Sequence, residues 1–229
     1  MSFLNSLSSS DDEEEENEHI IIKIVMLGQC GTGKTSIVIR FVQNEFKENT
    51  KPTVGANFFL RSMNFEDQNF CLRLWDTSGQ EKFDSLTPLY YRNANIAILV
   101  YDVKSISSLE KVKYWVKEIK NNVKVMPLLL IVGNKMDEYI EEYDYETIER
   151  AKVIAQKMGI GVAQVSAKTG EGINEIFENI TRKLIIERPS QVYNKFEQDN
   201  SSNFSTDQVS LQTDNNGDQS KKEKSQCCW

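Results

Sequence analysis

At 229 residues, with 39% hydrophobic content and a net charge of -7, the chain has room for one domain with a full core and flanking tails. The acidic balance, without a long basic stripe, excludes a nucleic-acid footprint. The longest apolar runs, "IAILVY" and "PLLLIV", are strand-sized and fall far short of the about 20 residues that cross a bilayer.

Residues 1–19, "MSFLNSLSSSDDEEEENEH", lack the positive start and apolar centre of a signal peptide. The chain is therefore expected to stay in the reducing cytosol, with its four cysteines as free thiols. The run from Asp11 to Glu16 repels itself and predicts a solvated extension. Periodicity then predicts strand Ile20–Leu27, helix Thr35–Val42, and strands Phe58–Phe65 and Phe70–Trp75 paired as a hairpin through "EDQN". Strand Ile96–Tyr101, helix Ser107–Asn121, strand Leu128–Val132, helix Tyr145–Met158, strand Gly161–Val165 and helix Asn174–Ile186 follow. Beyond Arg188-Pro189 the composition becomes polar and aperiodic, the mark of a flexible tether. The expected organisation is an extension over 1–19, one domain over 20–187 and a tail over 188–229. Alternating strands and helices imply an α/β fold, with right-handed crossovers, a mostly parallel sheet and helices on both faces. Ligands of such folds bind beyond the carboxyl ends of the strands.

A glycine-rich segment stands at such a position. "GQCGTGKT", Gly28 to Thr35, fits G-x-x-x-x-G-K-[ST] between a strand and a helix start. Gly28, Gly31 and Gly33 let the backbone curl around phosphates, and the helix N-terminus adds attraction for anions. Lys34 is expected to reach the terminal phosphates and the Thr35 hydroxyl to ligate Mg²⁺, with Thr32 and Ser36 in the same phosphate site. Cys30 occupies a free position of the motif and reads as variable filler, the alternative being a redox-reactive thiol favoured by the helix N-terminus.

A phosphate cradle does not distinguish a kinase from an ATPase or a GTPase; the base-reading residues do. Asn134, Lys135 and Asp137 of "NKMD" follow a buried strand. An aspartate accepts two hydrogen bonds from guanine, at N1–H and the exocyclic amine, whereas adenine has no donor at N1. A missing partner in a buried site costs about 1–3 kcal/mol, so Asp137 selects guanine. Asn134 can brace the loop or meet the base, and the Lys135 stem can cover one ring face. "SAK", Ser166, Ala167 and Lys168, follows the last strand, where the Ala167 N–H can donate to guanine O6.

Together "GQCGTGKT", "TVG", "WDTSGQE", "NKMD" and "SAK" resemble the Ras-like small GTPases from about Ile20 to Ile186. "YYRNANIAILVYD" and the terminal cysteine pair resemble the Rab branch, and "TVGANF", "WVKE" and "NEIF" look most like Rabs of the early-endosome type. The resemblance implies a P-loop G domain with a six-stranded, mostly parallel sheet, which hydrolyses GTP to GDP and phosphate. It implies that Phe46 stacks on guanine, that Thr53 and Asp76 join Thr35 in the Mg²⁺ sphere, and that the Gly79 N–H meets the γ-phosphate. Gln80 is implied to orient the attacking water, and Phe58, Trp75 and Tyr90 to contact effectors. Positioning and charge neutralisation by Lys34, a hydroxyl-bound Mg²⁺ and the neutral Gln80, with the Gly79 N–H at the γ-phosphate, suffice for slow phosphoryl transfer, which an external arginine can accelerate. Implied partners are effectors, an exchange factor, a GTPase-activating protein, a GDP-dissociation inhibitor and the Rab prenylation machinery, around a monomeric chain.

Two residues depart from the family pattern: Ser78 stands where alanine is usual, and Cys30 where Ras itself has glycine. Ser78 motivates a rival reading, a GTP-dependent binding module with negligible hydrolysis, whereas Gln80 favours turnover. A P-loop kinase or ATPase is disfavoured by "NKMD". The end, "SQCCW", is not a C-a-a-X box, because Gln226 holds the fourth position from the end. Its pair Cys227 and Cys228 is similar in placement to the doubly prenylated cysteines of Rabs. Lys221, Lys222 and Lys224 add attraction to anionic lipid, and the resemblance implies a location on the cytoplasmic face of endomembranes, such as early endosomes, in exchange with cytosol.

Overall fold

A computed structural model describes residues 20–48, 50–66 and 68–193. The acidic extension, Lys221 to Lys224, Cys227 and Cys228 lie outside the described residues. Six strands form one sheet: β1 Ile20–Leu27, β2 Ala56–Phe65, β3 Gln68–Thr77, β4 Ile96–Asp102, β5 Leu128–Asn134 and β6 Gly161–Gln164. Five helices join them: α1 Lys34–Gln43, α2 Thr87–Tyr91, α3 Ile106–Asn122, α4 Glu141–Met158 and α5 Ile173–Glu187. The order across the sheet is β2-β3-β1-β4-β5-β6. All neighbours are parallel except the β2–β3 hairpin, in which Phe65 pairs with Gln68 across a two-residue turn.

Alternation along the strands explains why helices cover both faces. In β1, Ile22, Ile24 and Met26 point to one face and pack with α1 and α5 residues such as Ile37, Phe41 and Phe177. Val25 and Leu27 point to the other and pack with α3 and α4 residues such as Leu109, Trp115 and Ala151. The Phe41 and Phe177 rings stack with centroids 3.9 Å apart and so tie α1 to α5.

Three local features differ from the sequence expectation. A 3-10 turn, Glu81–Leu86, and α2 fill a stretch without periodicity; the turn buries none of its residues, so it leaves no apolar pattern. Helix α4 begins at Glu141 rather than Tyr145, because its first turn is acidic and matches the positive helix end. The Asp144 carboxylate accepts the Ile140 N–H at 2.9 Å there. The packed chain also continues past residue 187. A helical turn over 189–193 lies across the bottom of the sheet, with Asn95 donating to the Gln191 carbonyl at 2.9 Å and Tyr193 Oη 2.8 Å from Gln68 Oε1.

Val192, 2% exposed, is the buried residue of that turn in the core, and Tyr193 packs against the same cluster. Val192→Asp is expected to destabilise the domain by about 2–3 kcal/mol, because a carboxylate there has no partner. Urea unfolding checks this, and an unchanged midpoint places the turn outside the cooperative unit.

Candidate functional site

The loop between β1 and α1 opens at the carboxyl end of the central strand. Gly28, Gly31 and Gly33 have φ of 149°, 83° and 87°, in the region that favours glycine. A Cβ on Gly28 would meet the Val100 carbonyl oxygen at 2.2 Å, and one on Gly33 would meet Asn134 Nδ2 at 2.3 Å. Gly33 caps α1 without a side-chain hydrogen bond, so the helix presents free N–H groups to the cleft. Lys34 is buried, and its Nζ donates to the carbonyls of Gly28 at 2.9 Å and Gln29 at 3.0 Å. Burial pushes its ammonium down to about 8, against opposing contributions from Asp76 and then Cys30.

Beside this loop a cleft of about 400 Å³ is lined by Gly31, Gly33, Thr35 and Ser36 from the phosphate side, with Thr53 and Gly79, and by Phe46. Asn134, Lys135, Asp137, Ala167 and Lys168 line its other end. The volume lies in the range of small-molecule sites. Three segments meet at its floor. Thr35 Oγ1 donates to Asp76 Oδ2 at 2.7 Å and lies 2.9 Å from Thr53 Oγ1. Asp76 Oδ1 is buried and has no hydrogen-bond partner. Burial pushes the Asp76 carboxyl up, opposed by the Thr35 hydrogen bond and the Lys34 charge.

That donor set fits Mg²⁺: two hydroxyls and a carboxylate with an unpaired oxygen suit a hard cation that keeps most of its water. No cluster of three or more His, Cys, Asp or Glu that could hold a metal occurs among the described residues, which sets the site apart from an all-protein cage.

At the other end, Asn134 is a brace. Its Nδ2 donates to the Thr32 carbonyl at 2.9 Å and its Oδ1 accepts the Ala167 N–H at 3.1 Å. The side chain thereby joins the glycine loop to the Ser166–Lys168 loop. The Ala167 N–H, expected to donate to guanine O6, has Asn134 Oδ1 as its acceptor within the protein. The Ser166 hydroxyl donates to Asp137 Oδ1 at 2.5 Å and accepts the Thr169 N–H, so Ser166 orients the carboxylate from behind instead of lining the cleft. Lys135 Nζ pairs with Asp102 Oδ2 at 2.7 Å.

The third loop, after β3, packs directly on the first. Cys30 N–H donates to the Gly79 carbonyl at 3.0 Å, and a Cβ on Gly79 would lie 2.4 Å from Cys30 N. The Ser78 hydroxyl accepts the Gln80 N–H at 3.3 Å, the local bond its extra oxygen makes possible. The Ser78 N–H donates to the Gly55 carbonyl at 2.7 Å and links this loop to the segment that carries Thr53. Gln80 precedes the 3-10 turn.

The aromatic expectation also has a geometric counterpart. Phe58 pairs with Trp75 across the hairpin, their centroids 5.2 Å apart, and Trp75 lies 5.7 Å from Tyr90. The three form one row whose end, Phe58, is 47% exposed.

Sequence reasoning missed Arg40 and Asp102. Asp102 ends β4 and holds Lys135; its signal was only a carboxylate at a strand end. Arg40 reaches from α1 to the carbonyls of Ala167 and Lys168 at 2.9 and 2.8 Å, with 127 and 128 residues of separation, and no motif announces it.

The Ras family model matches residues 23–186. The Ras-related protein Rab5 of Nicotiana tabacum is 39% identical over 169 residues, 74% of this chain and 84% of its own. The GTP-binding protein ypt5 of Schizosaccharomyces pombe is 40% identical over 166 residues, 72% of this chain and 78% of its own. The Ras-related protein Rab-21 of Mus musculus is 40% identical over 163 residues, 71% of this chain and 72% of its own. With the phosphate loop, the cleft and the sheet in their expected places, the chain belongs to the Ras family, within its Rab branch.

Proposed function

We propose that this Rab GTPase is a membrane-anchored switch of the endocytic type, and that GTP in the cleft orders the segments around Thr53 and Gln80 into an effector surface. One observation carries the reading: Thr35, Thr53 and Asp76, from three separate segments, converge within hydrogen-bond distance on an acidic oxygen pair of which one member is unpaired. A segment that contributes only one hydroxyl to such a site is held when the site is filled and released when it is not.

In this reading Thr35, Thr53 and Asp76 would hold Mg²⁺, which when bound would supply charge neutralisation at the phosphates. The Lys34 ammonium turns from the Gly28 and Gln29 carbonyls to the terminal phosphates, and the N–H groups of Gly31 to Ser36 surround them. The Gly79 N–H meets the γ-phosphate and the Gln80 amide orients water. Asp137, held by Ser166, accepts the two guanine donors, while Phe46 and the Lys135 stem cover the ring. Phe58, Trp75 and Tyr90 form the effector row. Competition of unlabelled GDP and ADP against labelled GTP tests the base reading, and equal displacement by the two defeats it.

The anchor is proposed to be two prenyl chains on Cys227 and Cys228. No helix among the described residues is long and apolar enough to cross a membrane. Each buried CH₂ contributes about 0.8 kcal/mol and each lysine near anionic lipid about 1 kcal/mol, so three lysines do not replace a lost chain. Cys228→Ser is expected to lower membrane retention in cell fractionation and Cys227→Ser/Cys228→Ser to abolish it. A double variant still on membranes overturns the lipid anchor.

A further inference from the structure

The guanidinium of Arg40 makes an unusual set of contacts for a residue in the last turn of a helix. It pairs with no carboxylate among the described residues. Instead Nε donates to the Ala167 carbonyl at 2.9 Å, Nη2 to the Lys168 carbonyl at 2.8 Å, and Nη1 to the Asn44 carbonyl at 2.9 Å. Two successive carbonyls and a third one converge on one planar fork. A lysine, with a single point of donation, cannot reproduce that geometry.

These carbonyls belong to elements that reach the nucleotide cleft. Ala167 and Lys168 line its base end. Asn44, in the left-handed conformation with φ of 55°, ends α1 and leads to Phe46. Helix α1 itself begins with Lys34 and Thr35. Ala167 is therefore fixed at both of its backbone groups, by Asn134 at the N–H and by Arg40 at the carbonyl. Gly170 closes the loop, its N–H donating to the Ser166 carbonyl at 2.8 Å; a Cβ there would come within 3.6 Å of Arg40 Cδ.

We propose that Arg40 is a positioning residue for guanine recognition: by holding the Ala167 and Lys168 carbonyls to α1 it sets how the Ala167 N–H, which donates to Asn134 Oδ1, is shared with the O6 acceptor, and so sets how slowly guanine nucleotide leaves. The inference rests on the guanine reading of the cleft. Helix α1 starts at the phosphates, so the same side chain couples the position of the base loop to that of the phosphate loop.

The test compares release of GDP with release of 6-thio-GDP. The thio analogue keeps both donors for Asp137 and replaces O6 with a much weaker acceptor. Arg40→Gln is expected to speed GDP release about tenfold, the equivalent of one net hydrogen bond, and to change 6-thio-GDP release by less than about twofold. Arg40→Lys, a milder change that keeps the charge and the stem, is expected to speed GDP release about threefold by the same arithmetic. Equal acceleration of both nucleotides in both variants makes Arg40 a general brace of the fold and overturns the inference, as does unchanged GDP release. Failure of the site reading looks different: the parent chain then shows no preference for GDP over ADP.

Discussion

Asp137→Asn is expected to lower GTP affinity by about 10²–10⁴-fold and to raise affinity for xanthosine triphosphate. The carboxylate is proposed to accept two guanine hydrogen bonds, each worth about 1.5–3 kcal/mol as a bond to a charged group. The amide brings a donor against the guanine amine and leaves the base unpaired, while the C2 carbonyl of xanthine accepts from it. Ser166 Oγ, 2.5 Å from Asp137 Oδ1, can still hold the amide through its oxygen, so the change is confined to the base contact. Competition between GTP and xanthosine triphosphate for the purified variant is the measurement, and unchanged preference for guanine sinks the assignment of Asp137.

Gln80→Leu is expected to leave GTP affinity nearly unchanged and to reduce activator-stimulated hydrolysis by about 10²–10³-fold, because leucine fills the space of the amide without orienting water. The backbone that carries residue 80 stays in place. Its N–H is held by the Ser78 hydroxyl at 3.3 Å and its carbonyl accepts the Phe83 N–H at 3.0 Å, and neither contact uses the side chain. Single-turnover cleavage with and without a GTPase-activating protein measures the effect. Stimulated turnover at the parent rate identifies a different water-orienting group, such as a glutamine supplied by the activating protein.

The two variants probe opposite ends of one cleft, and the ends differ in how they were visible in the sequence. The phosphate end is nearly continuous in the chain: Gly28 to Thr35 supply glycine conformations, helix start, lysine and hydroxyl within one short segment. The base end comes from two separated loops, yet the residue types carry the reading, since few side chains complement guanine. What each residue touches was less legible. Asn134 had two possible roles, and only the approach of Thr32 and Ala167 from either side makes it a brace. Ser166 was grouped with the lining residues, and its hydroxyl turns out to point at Asp137 from behind the cleft.

The sequence by itself determined the alternation of strands and helices, the α/β class, the order of the motifs and the chemistry at the strand ends. These depend on period, turn residues and side-chain type, all of which are local. The tertiary structure alone decided the start of α4, the turn over 189–193 and the clamp made by Arg40. An acidic first turn carries no apolar period, a single buried valine gives a polar tail no pattern, and an arginine that serves carbonyls 127 and 128 residues away leaves no trace in its own neighbourhood. Such contacts form because the parallel sheet brings the carboxyl ends of β1, β5 and β6 to one edge, where side chains from distant segments satisfy each other's backbone groups.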